Sequence, residues 1–186
     1  MKRSIYSVIL LVSLFFVSDT NGASNSDDEC VYTVYVKTGS IIKAGTDSKI
    51  SVIIGDAKGR SVNIPNLEAW GGTMGPNYDY FEWGNLDIFT GRGPCIDRPV
   101  CSMNVTSDGS GLHHGWYCDY IEVTSTGPHK RCSQSIFHVE QWLANDAPPY
   151  RLSAYLNGCA KKPQGFLRNG PFVVRNNKNV IQEVVV

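Results

Sequence analysis

The feature that most constrains this chain is a recurring two-residue rhythm in short segments. Residues 30–37 (CVYTVYVK) alternate apolar and polar side chains and are rich in valine, tyrosine and threonine. That pattern belongs to a strand with one face buried and one face wet. Comparable runs recur at 49–54, 60–64, 86–90, 100–106, 116–124, 135–142 and 152–156, separated by clusters of Gly, Pro, Asn and Asp. Nothing with a helical period of useful length intervenes, and 71–80 is too rich in Gly and Pro to form one. A strand with a single apolar face must bury it against a second layer, so these runs predict an all-β fold: an eight-stranded antiparallel β-sandwich of two four-stranded sheets. A closed barrel satisfies the same periodicity.

The ends read differently. Lys2 and Arg3 precede an apolar run over 5–17, and small residues follow at Gly22, Ala23 and Ser24, which predicts a signal peptide over 1–23. The run falls short of the roughly 20 apolar residues that span a bilayer. Residues 24–29 read as a short linker, 30–159 as the sandwich domain and 160–186 as a tail. In that tail a Lys-, Arg-, Asn- and Gly-rich stretch gives way to an apolar end, expected to be either a flexible extension or an added edge strand. The leader predicts entry into the secretory pathway.

Charge narrows the partners. The chain carries 17 basic and 17 acidic side chains, and losing Lys2, Arg3 and Asp19 with the leader leaves 15 against 16. That balance does not make the basic face a nucleic-acid groove needs. A monomer is the expected state. Six cysteines follow the leader, an even number suited to disulfides in an oxidising compartment. Six cysteines allow 15 connectivities. The expected set pairs Cys95 with Cys101 across a short proline-flanked loop, Cys30 with Cys159 to tie first strand to last, and Cys118 with Cys132 as the remainder. No Cys-x-x-Cys pair offers a zinc knuckle. Asn104-Val105-Thr106 is a glycosylation sequon.

The segments YTVYVKTGSIIKAGTDSKISVIIGD, DYFEWGNLDIF, GWYCDYIEVT and VEQWLA, in this order, resemble PLAT/LH2 domains over about residues 30–159. The stretches GRGPCIDRPVC and SDGSGLHHGWY, with the six cysteines, are similar more narrowly to small stand-alone plant stress proteins of that family. The resemblance implies an eight-stranded sandwich serving as a non-catalytic targeting module that docks on membrane lipids or on a protein partner, and a role in abiotic stress tolerance.

It also implies a calcium site. Asp47 in the loop KAGTDS, with Asp79 and Glu82, would supply carboxylates, and Lys43 and Gly45 would supply carbonyls; calcium takes 6–8 such hard oxygen ligands. Ser48 stands where such domains often carry a second acid, which lowers the charge of the site. Against the site, Asp47 can instead hydrogen-bond its own turn, and Glu82 can pair with Arg92. Ile41 and Ile42 beside that loop, and Leu112 in the Gly-rich loop before Trp116, are the expected membrane-contacting residues.

Trp116 is expected in the core and one of Trp83 and Trp142 at an exposed rim. His113 and His114, being adjacent, point apart and suit neither a shared metal nor a relay. No nucleophile elbow, phosphate loop or zinc-hydrolase spacing occurs, so no enzymatic activity is expected.

Overall fold

In a computed structural model the described residues are 29–128, 130–159 and 171–175. The expected leader, the expected linker up to residue 28 and most of the tail lie outside them. All eight expected strands form: β1 (Glu29–Thr38), β2 (Ile50–Gly55), β3 (Ser61–Ile64), β4 (Leu86–Pro94), β5 (Ser102–Ser107), β6 (Trp116–Gly127), β7 (Lys130–Leu143) and β8 (Ser153–Asn157). A short helix α1 (Leu67–Gly71) and a ninth strand β9 (Phe172–Arg175) complete the set.

The strands make two layers, a five-stranded sheet in the order β4-β1-β6-β7-β9 and a four-stranded sheet in the order β3-β2-β5-β8. Alternation sets the faces. In β1 the residues Tyr32, Val34 and Val36 are fully buried, and across the gap Ile50, Val52 and Ile54 of β2 and Met103 and Val105 of β5 meet them. Ile121, Val123, Phe137 and Val139 extend the same layer through β6 and β7.

The architecture departs from the expected four-plus-four arrangement by one strand. β9 joins the larger sheet parallel to β7, from Ser135 opposite Phe172 to His138 opposite Arg175. This part of the tail is thus an edge strand. Its sequence, FVVR, is too short to announce itself, and its place is secured by burial of Val173 and Val174.

The disulfide pairing also differs from expectation. The bonds join Cys30 to Cys95 and Cys101 to Cys159, leaving Cys118 buried and Cys132 exposed as free thiols. Strand pairing is the reason. Cys30 lies opposite Gly93 near the end of β4, so Cys95 just beyond that strand comes back beside it. Ser102 lies opposite Asn157, so Cys101 and Cys159 flank the same end of the β5–β8 pair. Cys118 lies opposite Gln141, nine residues along β7 from Cys132, a gap of about 30 Å at strand rise.

These positions predict a thiol map. On the native protein, alkylation labels Cys132 only; Cys118, whose thiol is pushed up by burial and then by the nearby Asp119 charge, reacts after unfolding. Peptide mapping without reductant should recover Cys30 with Cys95 and Cys101 with Cys159. A Cys118–Cys132 peptide pair from folded protein would contradict the register.

Candidate functional site

The loop between β1 and β2 is stitched on both sides. Gly39 N donates to Tyr117 O at 2.9 Å, and its carbonyl accepts from Gly84 N at 3.1 Å. Farther along, Tyr117 N donates to Ala44 O at 3.0 Å, Thr46 N to Phe81 O at 3.2 Å and Asp47 N to His113 O at 3.2 Å. The loop is thereby locked between the segment before β4 and the segment before β6. Thr46 and Ser48 turn inward, Thr46 Oγ1 donating to His113 O at 2.7 Å and Ser48 Oγ to Ser110 O at 2.6 Å. Ser48, which occupies the second-acid position, is therefore a structural tether facing inward.

That stitching brings three distant carboxylates together. Ligand oxygens of Asp47, Asp79 and Glu82 all lie within 4.8 Å of one another. The two competing roles foreseen for them are not taken. Arg92 pairs with Glu29, Nη1 to Oε2 at 3.6 Å, and not with Glu82. Asp47 Oδ2 accepts from His113 N at 3.2 Å in the neighbouring loop instead of closing its own turn. Lys43 and Gly45 lie beside the cluster with no hydrogen bond to their carbonyls among the described residues.

Two glycines make the close approach possible. A Cβ on Gly45 would sit 3.1 Å from Glu82 Oε2 and 3.0 Å from Trp83 N, and a Cβ on Gly111, at φ +88°, would sit 2.7 Å from Asp47 Cβ.

Behind the cluster stands Asp87, fully buried, its Oδ2 accepting from Phe81 N at 2.7 Å while Oδ1 has no partner among the described residues. Burial pushes its carboxyl above the usual carboxylate range, and the charges of Glu82 and Asp79 add to the rise against the Phe81 and Tyr78 hydrogen bonds. Glu68 is likewise raised, by burial first and then by Asp79 and Asp87. The negative charge that Asp79 and Glu82 place on these neighbours is charge that a bound cation would offset. Hard oxygens, a surplus of negative charge and free loop carbonyls suit a calcium ion better than a softer metal.

Phe81 shows how tightly this segment is held. It sits at φ 61°, which is costly for a bulky residue, yet its ring is buried, stacked on Phe89 at 5.5 Å and edge-on to Trp116 at 5.5 Å. Trp116 is in the core, as the alternation of β6 predicts.

Around the acids the surface turns apolar. Ile42 is 87% exposed, Leu112 92% and Trp83 60%, with Ile41 partly exposed beside them. Leu112 and Trp83 line a groove of about 510 Å³, with Lys43, His113 and Trp142 among its other walls. The two histidines diverge as expected, His113 Nδ1 lying 3.2 Å from Asp47 Oδ2 and His114 Nε2 lying 3.5 Å from Asp146 Oδ2. Trp83 is the rim tryptophan, whereas Trp142 is half-buried with its ring edge-on to Tyr117 at 5.5 Å. Thr46, Asp87 and Gly111 lie within KAGTDS, DYFEWGNLDIF and SDGSGLHHGWY, but nothing in those segments marks them as supports of the site.

Comparison with known proteins agrees with this architecture. The family described as Embryo-specific protein 3 (ATS3) matches residues 17–147. PLAT domain-containing protein 2 of Arabidopsis thaliana is 55% identical over 154 residues, covering 82% of this chain and 84% of the relative. The chain belongs to the ATS3 family and to the PLAT domain-containing proteins. A second such PLAT protein, PLAT domain-containing protein 1 of Arabidopsis thaliana, is 53% identical over 83% of this chain and 86% of its own length. In solved structures, the PLAT fold of this chain superposes on the Delta413-417:GS LOX crystal structure with a TM-score of 0.51 at 22% identity, covering 69% of this chain and 16% of that one. That likeness establishes the β-sandwich alone.

Proposed function

We propose that this PLAT protein is a non-catalytic, calcium-assisted lipid-binding module of the secretory pathway, in the endoplasmic reticulum or outside the cell. One observation carries the reading: three carboxylates converge within 4.8 Å where exposed Leu112 and Trp83 line one groove with Glu82, and exposed Ile42 lies in the same loop as Asp47. Asp47, Asp79 and Glu82 would hold calcium with the Lys43 and Gly45 carbonyls, and calcium bound there would bridge to anionic headgroups. The chain's own contribution is to hold the acids in register through the Thr46, Asp47 and Phe81 hydrogen bonds and to present aliphatic and aromatic side chains to the acyl region.

Magnitudes set the expected behaviour. A site of this charge on a loop belongs to the weak extracellular class of calcium sites, with a Kd of about 0.1–1 mM. Burying an isoleucine removes about 1.5–3 kcal/mol of exposure cost, so attachment through a few such residues is reversible. Titration calorimetry should show calcium binding in that range, lost in D79N/E82Q. Co-sedimentation with phosphatidylserine vesicles should require calcium and fall at least about tenfold in I41S/I42S, since about 1.4 kcal/mol is tenfold. Vesicle binding that ignores both chelator and the isoleucine changes would refute the reading. Retention of a protein partner that survives Asp47→Ala would favour protein docking instead.

A further inference from the structure

The outer face of the four-stranded sheet has a composition the lipid reading does not use. None of the outward-facing side chains of β2, β3, β5 and β8 is charged; they are Ser, Thr and Asn apart from Ile53 and Tyr155. The larger sheet, by contrast, turns Lys37, Arg92 and Glu122 outward. Natural sheets place charges on exposed faces and edges to deter association, so a neutral face carrying an exposed Ile and Tyr calls for a cover.

Asn104 lies at its centre. The pairing registers put Ile53 on one side of Asn104 and Tyr155 on the other, each about 5 Å away at cross-strand spacing. Ile53 is 40% and Tyr155 64% exposed. Thr106, two residues on, points to the same side of β5 as Asn104, and Asn104-Val105-Thr106 is the single Asn-x-Ser/Thr triplet in the chain. Two disulfides agree with folding in an oxidising compartment, where that modification occurs.

We propose that Asn104 carries an N-linked glycan whose first N-acetylglucosamine lies on Tyr155 and Ile53. The donor is a polyprenyl-pyrophosphate-linked oligosaccharide acted on by the compartment's transferase. Its C1–O bond to phosphate breaks, a C1–N bond to Asn104 Nδ2 forms, the amide proton passes to the transferase base and polyprenyl pyrophosphate leaves. The proximal sugar then sets its C–H face on the Tyr155 ring, removing apolar area from water, while its hydroxyls face neighbours such as Ser51 and Ser153. The glycan supplies the cover and leaves the loop end free.

The proposal rests on the chain entering the secretory pathway, and the test separates the two. The full chain is translated with microsomes, and protease protection reports entry. The protected chain should show one mobility shift, removed by peptide N-glycosidase, absent in Asn104→Gln and Thr106→Ala and retained in Thr106→Ser. A protected chain without the shift overturns the glycan alone; an unprotected one overturns the secretory reading with it.

For the seat, protein trimmed to one sugar should melt about 2–4 °C above the Asn104→Gln form. That difference should vanish in a Tyr155→Ala background. A difference that is absent, or that persists without Tyr155, overturns the stacking.

Discussion

Replacing Trp116 with alanine is expected to cost about 3–5 kcal/mol of unfolding free energy, the range for deleting a buried indole, and to abolish the calcium response proposed for the loop end. Trp116 is fully buried, and its Nε1 donates to Thr38 Oγ1 at 3.0 Å. Its ring is the edge-on wall for Phe81. Phe81 holds a left-handed backbone that costs about 1–3 kcal/mol, sustained by ring burial and by the hydrogen bonds Phe81 N makes to Asp87 and Phe81 O accepts from Thr46. Remove the indole and Phe81 can relax into the cavity, moving Glu82 beside it away from Asp47.

Trp116→Phe keeps an aromatic wall and loses one donor, a change of about 1–3 kcal/mol, and should retain calcium binding. Guanidinium unfolding and calcium titration on both variants decide the matter. Unchanged calcium affinity in the folded alanine variant would show that the acids are held without this support.

Asp56→Ala should cost about 3–5 kcal/mol by a different route, the loss of a covered charge and its partners. The Asp56 side chain is 0% exposed and accepts from Lys58 N at 2.8 Å, Arg60 N at 3.0 Å, Arg60 Nε at 2.8 Å and Asp97 N at 2.7 Å. It closes the β2–β3 turn and pins the loop after Cys95 to it. Burial alone would raise the Asp56 pKa, but the Asp97, Arg60 and Lys58 donors together bring it below the usual range.

The sign follows. A carboxyl with a folded pKa below its unfolded value, about 3.9, stabilises above that pH, and the contribution is lost as pH falls through the folded value. Asp87 acts oppositely: its raised pKa favours the fold at low pH, and that contribution fades as pH rises through the folded value. The gap in guanidinium midpoint between wild type and Asp56→Asn should therefore be full at pH 7 and shrink below about pH 4. A gap independent of pH would mean that the turn is held by its backbone alone.

Much of the sandwich was legible because a strand's faces are written in its own alternation. β1, β2, β5 and β6 each bury the residues that the two-residue rhythm selects, Trp116 among them. The candidate site was legible in its residue types, since Asp47 sits in a Gly-containing turn beside two exposed isoleucines. Its supports were not. Asp87 reads as an ordinary strand residue, and only the fold turns it inward beneath Phe81.

The sequence alone determined the local quantities: which positions face inward, where the chain turns, which loop carries Asp47, and the neutral Ser/Thr/Asn pattern around Asn104. Only the tertiary structure decided what meets what. The disulfide partners, the ion pair of Arg92 with Glu29, the parallel docking of β9 and the convergence of Asp47 with Asp79 and Glu82 all join residues far apart in the chain. Alternation is a property of one strand, whereas partner, order and register come from burying every apolar face at once, a condition no single segment contains.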